Sequence, residues 1–557
     1  MNYGSSKPVP GTGRIPFCVS FGVTGHRFLP DGDQIAERVR EIFQERFLEC
    51  FDEESASALR RVRATPIAFT VVTPLATGAD QLVARIAMEQ QGRLEAVLPF
   101  EQEEYLKDFA PGPRADFDSL LRSATRCTPT GVKVSGAPDP DEAKREGYLK
   151  AGEYVVKHCD VVIAIWNEEP ERGKGGTAEI VALALKSNKP TFIISATPPY
   201  QATLKNGGRL QGQSVQQIDE SNSFPLADGE IRKRADEELA GIYNDPSCSE
   251  VPERLRQVVT GRLLPCFARA SLVAEANQKR YQRTAMFAYL LTTVSVALLA
   301  IAVVWHDSPA SLLCFCLESA LLVLLYGMVH HAQKEQVHRK WLENRSLAER
   351  LRIALILVSC GVAPVRFSKT RRLLIDTETR DWISTGFESI LEELPNMPEP
   401  TDEPCSRFGK HICTNWIQSQ ITYHERKAQK AELKNARLET GRNTAFLCAL
   451  LLSIMHVIMK MEHLEAETIE KLISVVAITL PVAGAALEAF RTLMEYPRIA
   501  SHSKAMKSSL EQLSDQPGKL TSHSRLAALL TQTGRLMLIE SQDWKELLRF
   551  ADLERTT

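Results

Sequence analysis

From Thr284 to Trp305 the chain runs without one charged side chain, TAMFAYLLTTVSVALLAIAVVW. An α-helix needs about 20 consecutive apolar residues to cross a bilayer core, so this run restricts the fold more than any other stretch. After the short turn His306-Asp307-Ser308, a second run from Pro309 to Val329 is broken only by Glu318. The two read as a transmembrane hairpin; the competing reading is a pair of buried core helices. A weaker pair follows at 444–461 and 472–490, the first member short and the second carrying Pro481 and Glu488. Lys279, Arg280, Arg283, Lys334, Arg339 and Lys340 flank the open side of the first hairpin, and Arg437, Arg442, Arg491 and Arg498 that of the second. The connecting turns hold Asp307 in one and Glu462, Glu465, Glu467 and Glu470 in the other. Lys and Arg mark the cytoplasmic side. The expectation is a multi-pass protein of the cytoplasmic membrane with both termini in the cytoplasm.

The first 200 residues carry a different pattern. Short apolar, β-branched runs at Ile15–Val23, Ile67–Val72, Leu94–Leu98, Asp160–Trp166 and Thr191–Ser195 alternate with helical stretches. Such alternation predicts a doubly wound parallel sheet. Three of these strands run into glycine-containing turns: Gly22-Val-Thr24-Gly25-His26-Arg27, then Gly78-Ala79-Asp80, then Gly173-Lys174-Gly175-Gly176-Thr177. In an open α/β sheet the carboxyl ends of the strands lie along one edge, where ligands bind. Glycine there lets backbone N–H groups approach an anion, and the helix that follows aims its positive end at the same place. His26 and Arg27 would supply donors to phosphate or ribose, and Asp80 would accept from a sugar hydroxyl. Each also has a plainer reading: glycines needed only for their dihedrals, His26 and Arg27 as surface residues, Asp80 as a helix cap.

Net charge is −2 over 557 residues, which gives no electrostatic footprint for nucleic acid. The twelve cysteines form no CxxC pair and no zinc-spaced cluster. They fit a reducing compartment, and neither a metal nor a cofactor is expected. The N-terminus lacks the apolar core of a secretory signal.

The motifs GVTGHR, TPLATGADQLVA, VLPF followed by Tyr105 and Asp108-Phe109, and CDVVIAIW before GKGGTAEIV resemble, in this order, those of the SLOG superfamily, the Rossmann-like fold of the lonely-guy and DNA-processing proteins. The resemblance covers about 13–200. It implies a site for a nucleotide or nucleotide derivative formed by Gly22, Thr24, Gly25, His26, Arg27, Gly78, Ala79, Asp80, Gly173, Gly175, Gly176, Thr177 and Glu179. Lonely-guy enzymes cleave the N-glycosidic bond of nucleoside monophosphates with a Glu three residues after the Thr of PGGxGTxxE. In this chain that position is Ile180, and the carboxylate, Glu179, falls one place early. One residue is about 100° of helix, so the departure favours a sensor over an enzyme. A hydrolase using Glu179 and Arg27 stays as the alternative.

The membrane half repeats itself. Glu349, Leu351, Leu374, Glu378, Asp381 and Trp382 recur at one constant spacing as Glu511, Leu513, Leu536, Glu540, Asp543 and Trp544. Two units, about 262–395 and 411–552, resemble the SLATT family of two-span membrane effectors. Segments 201–260 and 396–410 read as linkers, the first with helices. Together the resemblances imply a ligand-sensing effector of a bacterial inner membrane, a homo-oligomer forming a pore in defence against phage. An enzyme or a scaffold are the other readings. Val337, Trp341, Asn344, Ala348, Leu351 and Leu355 make a heptad-like stripe, packing either within one subunit or between subunits. Glu318 stands near mid-span, either protonated within the hairpin or lining a pore.

Overall fold

A computed structural model describes residues 11–168, 175–212, 214–365, 381–462 and 467–553, the side chains of 540–553 excepted. Gly173, Lys174, Leu374, Glu378, Glu465 and the side chains of Glu540, Asp543 and Trp544 lie outside the described residues. The chain divides into two compact units, 1–270 with 350–399, and 271–349 with 400–557.

The first unit is the expected α/β domain. Its strands are β1 (Phe17–Gly25), β2 (Ile67–Thr73), β3 (Arg93–Leu98), β4 (Arg126–Pro129), β5 (Val161–Ile165), β6 (Thr191–Ile194) and β7 (Ala202–Lys205). They form one sheet in the order β4-β3-β2-β1-β5-β6-β7. Neighbours from β4 to β6 pair parallel and β7 closes the sheet antiparallel. All residues of β2, β5 and β6 are buried, as expected of parallel strands covered on both faces. The covering helices include α1 (Gly32–Gln44), α2 (Ala79–Glu89), α3 (Pro140–His158) and α4 (Thr177–Lys186). Phe43 of α1 packs edge-on against Phe21 of β1, centroids 4.9 Å apart. Between α3 and the strand after it, buried Asp160 accepts from the backbone N and the hydroxyl of Ser20, at 2.9 and 2.6 Å.

Segment 201–260, read as a linker, contributes β7 to the sheet. Its helix Ser214–Ser223 buries Val215, Ile218 and Asn222. Asn222 bridges both backbone polar groups of Ile15, each at 2.8 Å.

Four long helices carry the apolar runs: α5 (Leu264–Val304), α6 (Pro309–Lys334) and, beyond α7 (Val337–Ser359) and α8 (Trp382–Leu391), α9 (Arg407–Met461) and α10 (Glu467–Leu493). Each is long and apolar enough to cross a membrane. Their large side chains face outward: Leu312 and Val323 are 72 % exposed, and Leu290, Leu324, Leu450 and Leu451 are exposed with them. So extensive an apolar surface is untenable in water, which removes the reading of buried core helices. This is a membrane protein.

Glu488, an awkward residue for a span, is neutralised at the basic end of the second hairpin. It meets Arg442 at 2.8 Å and Arg491 at 2.6 Å, and Arg491 also donates to Asn435 at 2.9 Å. Gly484 lets α10 approach Phe446 of α9. The stripe on α7 is buried within the chain at Val337, Asn344, Ala348, Leu351 and Leu355, and Asn344 donates to the carbonyl of Lys340 at 2.9 Å. That is the packing expected within one subunit.

Helix α8 belongs to the α/β unit. Trp382, Phe387 and Ile390 are buried, Gly386 lies against Ile15, and Cys18 donates to the carbonyl of Ser389. Just after it, Glu393 sits between Arg93 and Arg262, and Arg126 donates to the carbonyl of Leu394 at 3.0 Å. These partners begin β1, β3 and β4, so α8 covers the amino ends of strands and leaves their carboxyl ends open.

Candidate functional site

In this strand order β1 has β2 on one side and β5 on the other. Connections leave these neighbours in opposite directions, and the crevice between their carboxyl ends is where doubly wound sheets bind ligands. A cavity of about 700 Å³ opens there, within the size range of small-molecule sites.

Of the residues expected to bind, Thr24, Gly25, His26, Arg27, Asp80, Gly175, Gly176 and Thr177 line this cavity. Gly22, Gly78, Ala79 and Glu179 do not. Gly22 is inside β1, against Cys159 and Val155. Gly78 has φ +89°, and a Cβ on it would lie 2.4 Å from the carbonyl oxygen of Arg27. Only glycine allows the β2–α2 turn to press on the β1 turn in that way. Ala79 completes the join, its N–H donating to the carbonyl of His26 at 3.1 Å.

The third turn is held from within. Gly175 has φ +78°, and a Cβ there would be 2.8 Å from the backbone N of Leu149. Its own N–H donates to Glu179 Oε2 at 2.7 Å. Glu179 thus fastens the turn rather than facing the cavity. The first N–H groups of α4 have no acceptor inside a helix, and Gly176, Thr177 and Ala178 bring them to the cavity wall. A positive helix end meets a cationic side chain there. Arg27 is stacked over the Tyr148 ring, its guanidinium carbon 5.5 Å from the centroid. Tyr148 in turn donates to Asp108 at 2.5 Å, and Lys144 pairs with the same carboxylate at 2.9 Å. These partners hold Asp108 below the usual carboxylate range against the opposing effect of burial.

Several lining residues escaped sequence reading. Asn167, just past β5, donates its backbone N–H to His26 Nε2 at 3.2 Å and accepts from Ala196 N at 2.7 Å. It ties the ends of β1, β5 and β6 together, and its bond places the ring proton of His26 on Nδ1. Trp166 and Tyr148 present aromatic surface to the cavity, and Phe28, 80 % exposed, stands at it. The strand-end position of Trp166 was a signal in the sequence. Tyr148 and Phe28 carried none.

Asp80 is neither cap nor free acceptor. Gly78 is the N-cap of α2, and buried Asp80 accepts from Ala76 N at 3.2 Å. Burial pushes its carboxyl up to about 7, against the lowering effects of Thr73, Ala76 and Arg27. Below pH 7 it therefore holds a proton that it can donate to an anion. A carboxyl with a folded pKa above the unfolded value of 3.8 makes the folded state bind more protons, so stability falls as pH rises from about 4 to about 7. Asp80→Asn keeps the acceptor and removes this dependence. Thermal midpoints should nearly match the parent at pH 4 and exceed it at pH 8, by the equivalent of about 4 kcal/mol. An equal or lower midpoint at pH 8 overturns the assignment. No family model, curated protein or solved structure matches this chain.

Proposed function

We propose that this protein is a membrane effector that senses a phosphorylated, nucleotide-derived ligand in the cleft between β1 and β5 and responds through its spans. One observation carries the reading. The amino end of α4, Arg27, Asp80 and the faces of Trp166 and Tyr148 meet around a single cavity, in a chain that also has four helices fit to cross a membrane. Cation and helix end suit phosphate, and the aromatic faces suit a base. Aspects of the SLOG and SLATT resemblances support the same reading: a SLOG-like sensor beside SLATT-like spans, a homo-oligomeric pore, and bacterial defence against phage as the setting. The hydrolase alternative is weakened because Glu179 binds Gly175 instead of lining the cavity. The chain passes between its two units inside α5 and again inside α7, which gives ligand binding a covalent path toward the spans.

The test uses full-length protein in vesicles, with a panel of linear and cyclic nucleotides. Stabilisation by a nucleotide, dye release on its addition and recovery of that nucleotide intact support the proposal. Release of free base selects the hydrolase, and no stabilisation by any member overturns the sensor.

The same reading puts both termini and residues 396–410 in the cytoplasm, and the two hairpin turns outside. On a background cleared of native thiols, cysteines at Asp307 and Glu462 should react with an impermeant maleimide added to intact cells. Cysteines at Asp33 and Asp402 should not. The reverse pattern inverts the orientation, and protection of Glu462→Cys alone means that the second hairpin does not span.

A further inference from the structure

We infer that the open end of the first hairpin holds a binding site for one anionic phospholipid. A cavity of about 380 Å³ lies between α5 and α6, lined by Lys279, Arg280, Arg283, Thr284, Phe287 and Met328. Of its three cations, the two arginines are not spent on carboxylates of the described residues. Among the described residues Arg283 has no ion pair, and Arg280 meets only His331, with 3.1 Å between nitrogens. Lys279 shares an exposed pair with Glu275 at 2.7 Å.

The occupant follows from how the wall changes along the helix. Arg280, Arg283, Phe287, Leu290 and Val294 are spaced by three and four residues, so they lie on one stripe of α5. The charged members stop at Arg283, where the uncharged run begins at Thr284. Beyond it Phe287 is 48 % exposed, Leu290 54 % and Val294 40 %. A groove with cations at one end and bare apolar surface continuing into the membrane matches a phosphate headgroup with its acyl chains. A soluble phosphate compound would satisfy the cations and leave the apolar stripe uncovered. Basic pockets between spans at the membrane surface bind anionic headgroups, each cation worth about 1 kcal/mol.

The experiment is native mass spectrometry of the full-length protein in detergent, titrated with short-chain phosphatidylglycerol, phosphatidylcholine or inorganic phosphate. One phosphatidylglycerol should bind ahead of all others. Replacing Lys279, Arg280 and Arg283 together by Gln should weaken that binding on the order of a hundredfold. A charge-matched control, Lys334→Gln with Lys430→Gln and Arg437→Gln, should lose less than about fivefold, one cation's worth. Arg280→Lys with Arg283→Lys should retain binding, which separates lost charge from lost fold. The site is overturned by equal losses in the two triple variants, by equal affinity for phosphatidylcholine, by displacement with inorganic phosphate, or by failure of the lysine variant to bind.

Discussion

Gly176→Asp should abolish binding of the phosphorylated ligand while leaving the thermal midpoint within a few degrees of the parent. Gly176 is the N-cap of α4, with φ −73° and ψ 163°, an extended conformation open to any residue. Aspartate is among the best N-caps, and exchanging it with glycine changes helix stability by only a few tenths of a kcal/mol. Its carboxylate would accept from the same N–H groups that face the cavity. A unit negative charge about 4 Å from a phosphate costs up to about 4 kcal/mol at an effective dielectric of 20. The loss in affinity should therefore be at least about a hundredfold. Gly175→Ala would tell less, because its positive φ and the nearby Leu149 backbone would damage turn and binding together. Thermal shift against every nucleotide that stabilises the parent is the measurement. Undiminished stabilisation in Gly176→Asp, with an unchanged apo midpoint, would remove the α4 turn from the site.

The α/β order was legible because parallel strands buried on both faces are nearly continuous apolar runs, a form that β1, β2, β5 and β6 have and that β3 keeps apart from Arg93 and Glu95. Two strands lack it. The residues of β4 are only partly buried or exposed, and β7, ATLK, is a partly buried edge strand. The turns at strand ends were legible as a converging set, since strand ends in such a sheet share an edge. What each glycine does was not. Gly78 and Gly22 serve packing between elements, which depends on neighbours 51 and 133 or more positions away in sequence, as with Arg27 and Val155. Glu179 could be read as misplaced for catalysis, but its bond to Gly175 depends on the fold of the turn. Least legible was α8. Its partner Cys18 is 371 residues away from Ser389, and local pattern grouped it with the hairpin before it. A fragment ending at 260 would strip this helix from Ile15 and Cys18, so binding experiments need the full chain. In the membrane half, length and charge placement revealed the spans, whereas the arginines that make Glu488 tolerable required the pairing of α9 with α10.

On the pore proposed above, Glu318→Gln should preserve expression and assembly but shift ion selectivity away from cations. Glu318 is half-buried on α6, where an ionisable side chain costs about 2.5–3.5 kcal/mol on insertion scales. Neutralising it removes that cost, so the variant should insert at least as well as the parent. A protonated Glu318 bonded inside the hairpin would need an acceptor; the Thr292 and Thr293 hydroxyls keep acceptor lone pairs, yet no hydrogen bond among the described residues joins either to Glu318. Thr292 donates to the carbonyl of Ala288 at 2.9 Å and Thr293 to that of Tyr289 at 3.0 Å. Among the described residues Glu318 has neither an ion pair nor a hydrogen bond. A carboxyl with no partner among the described residues fits the proposed pore, where a ring of such groups would face water. Unit charges 4 Å apart in water interact by about 1 kcal/mol, attractive for a cation and repulsive for an anion, which weights cations over anions by roughly thirtyfold per carboxylate. Reversal potentials across a salt gradient in planar bilayers measure that ratio directly. A ligand-triggered conductance with the same selectivity in Glu318→Gln and the parent takes Glu318 out of the pore.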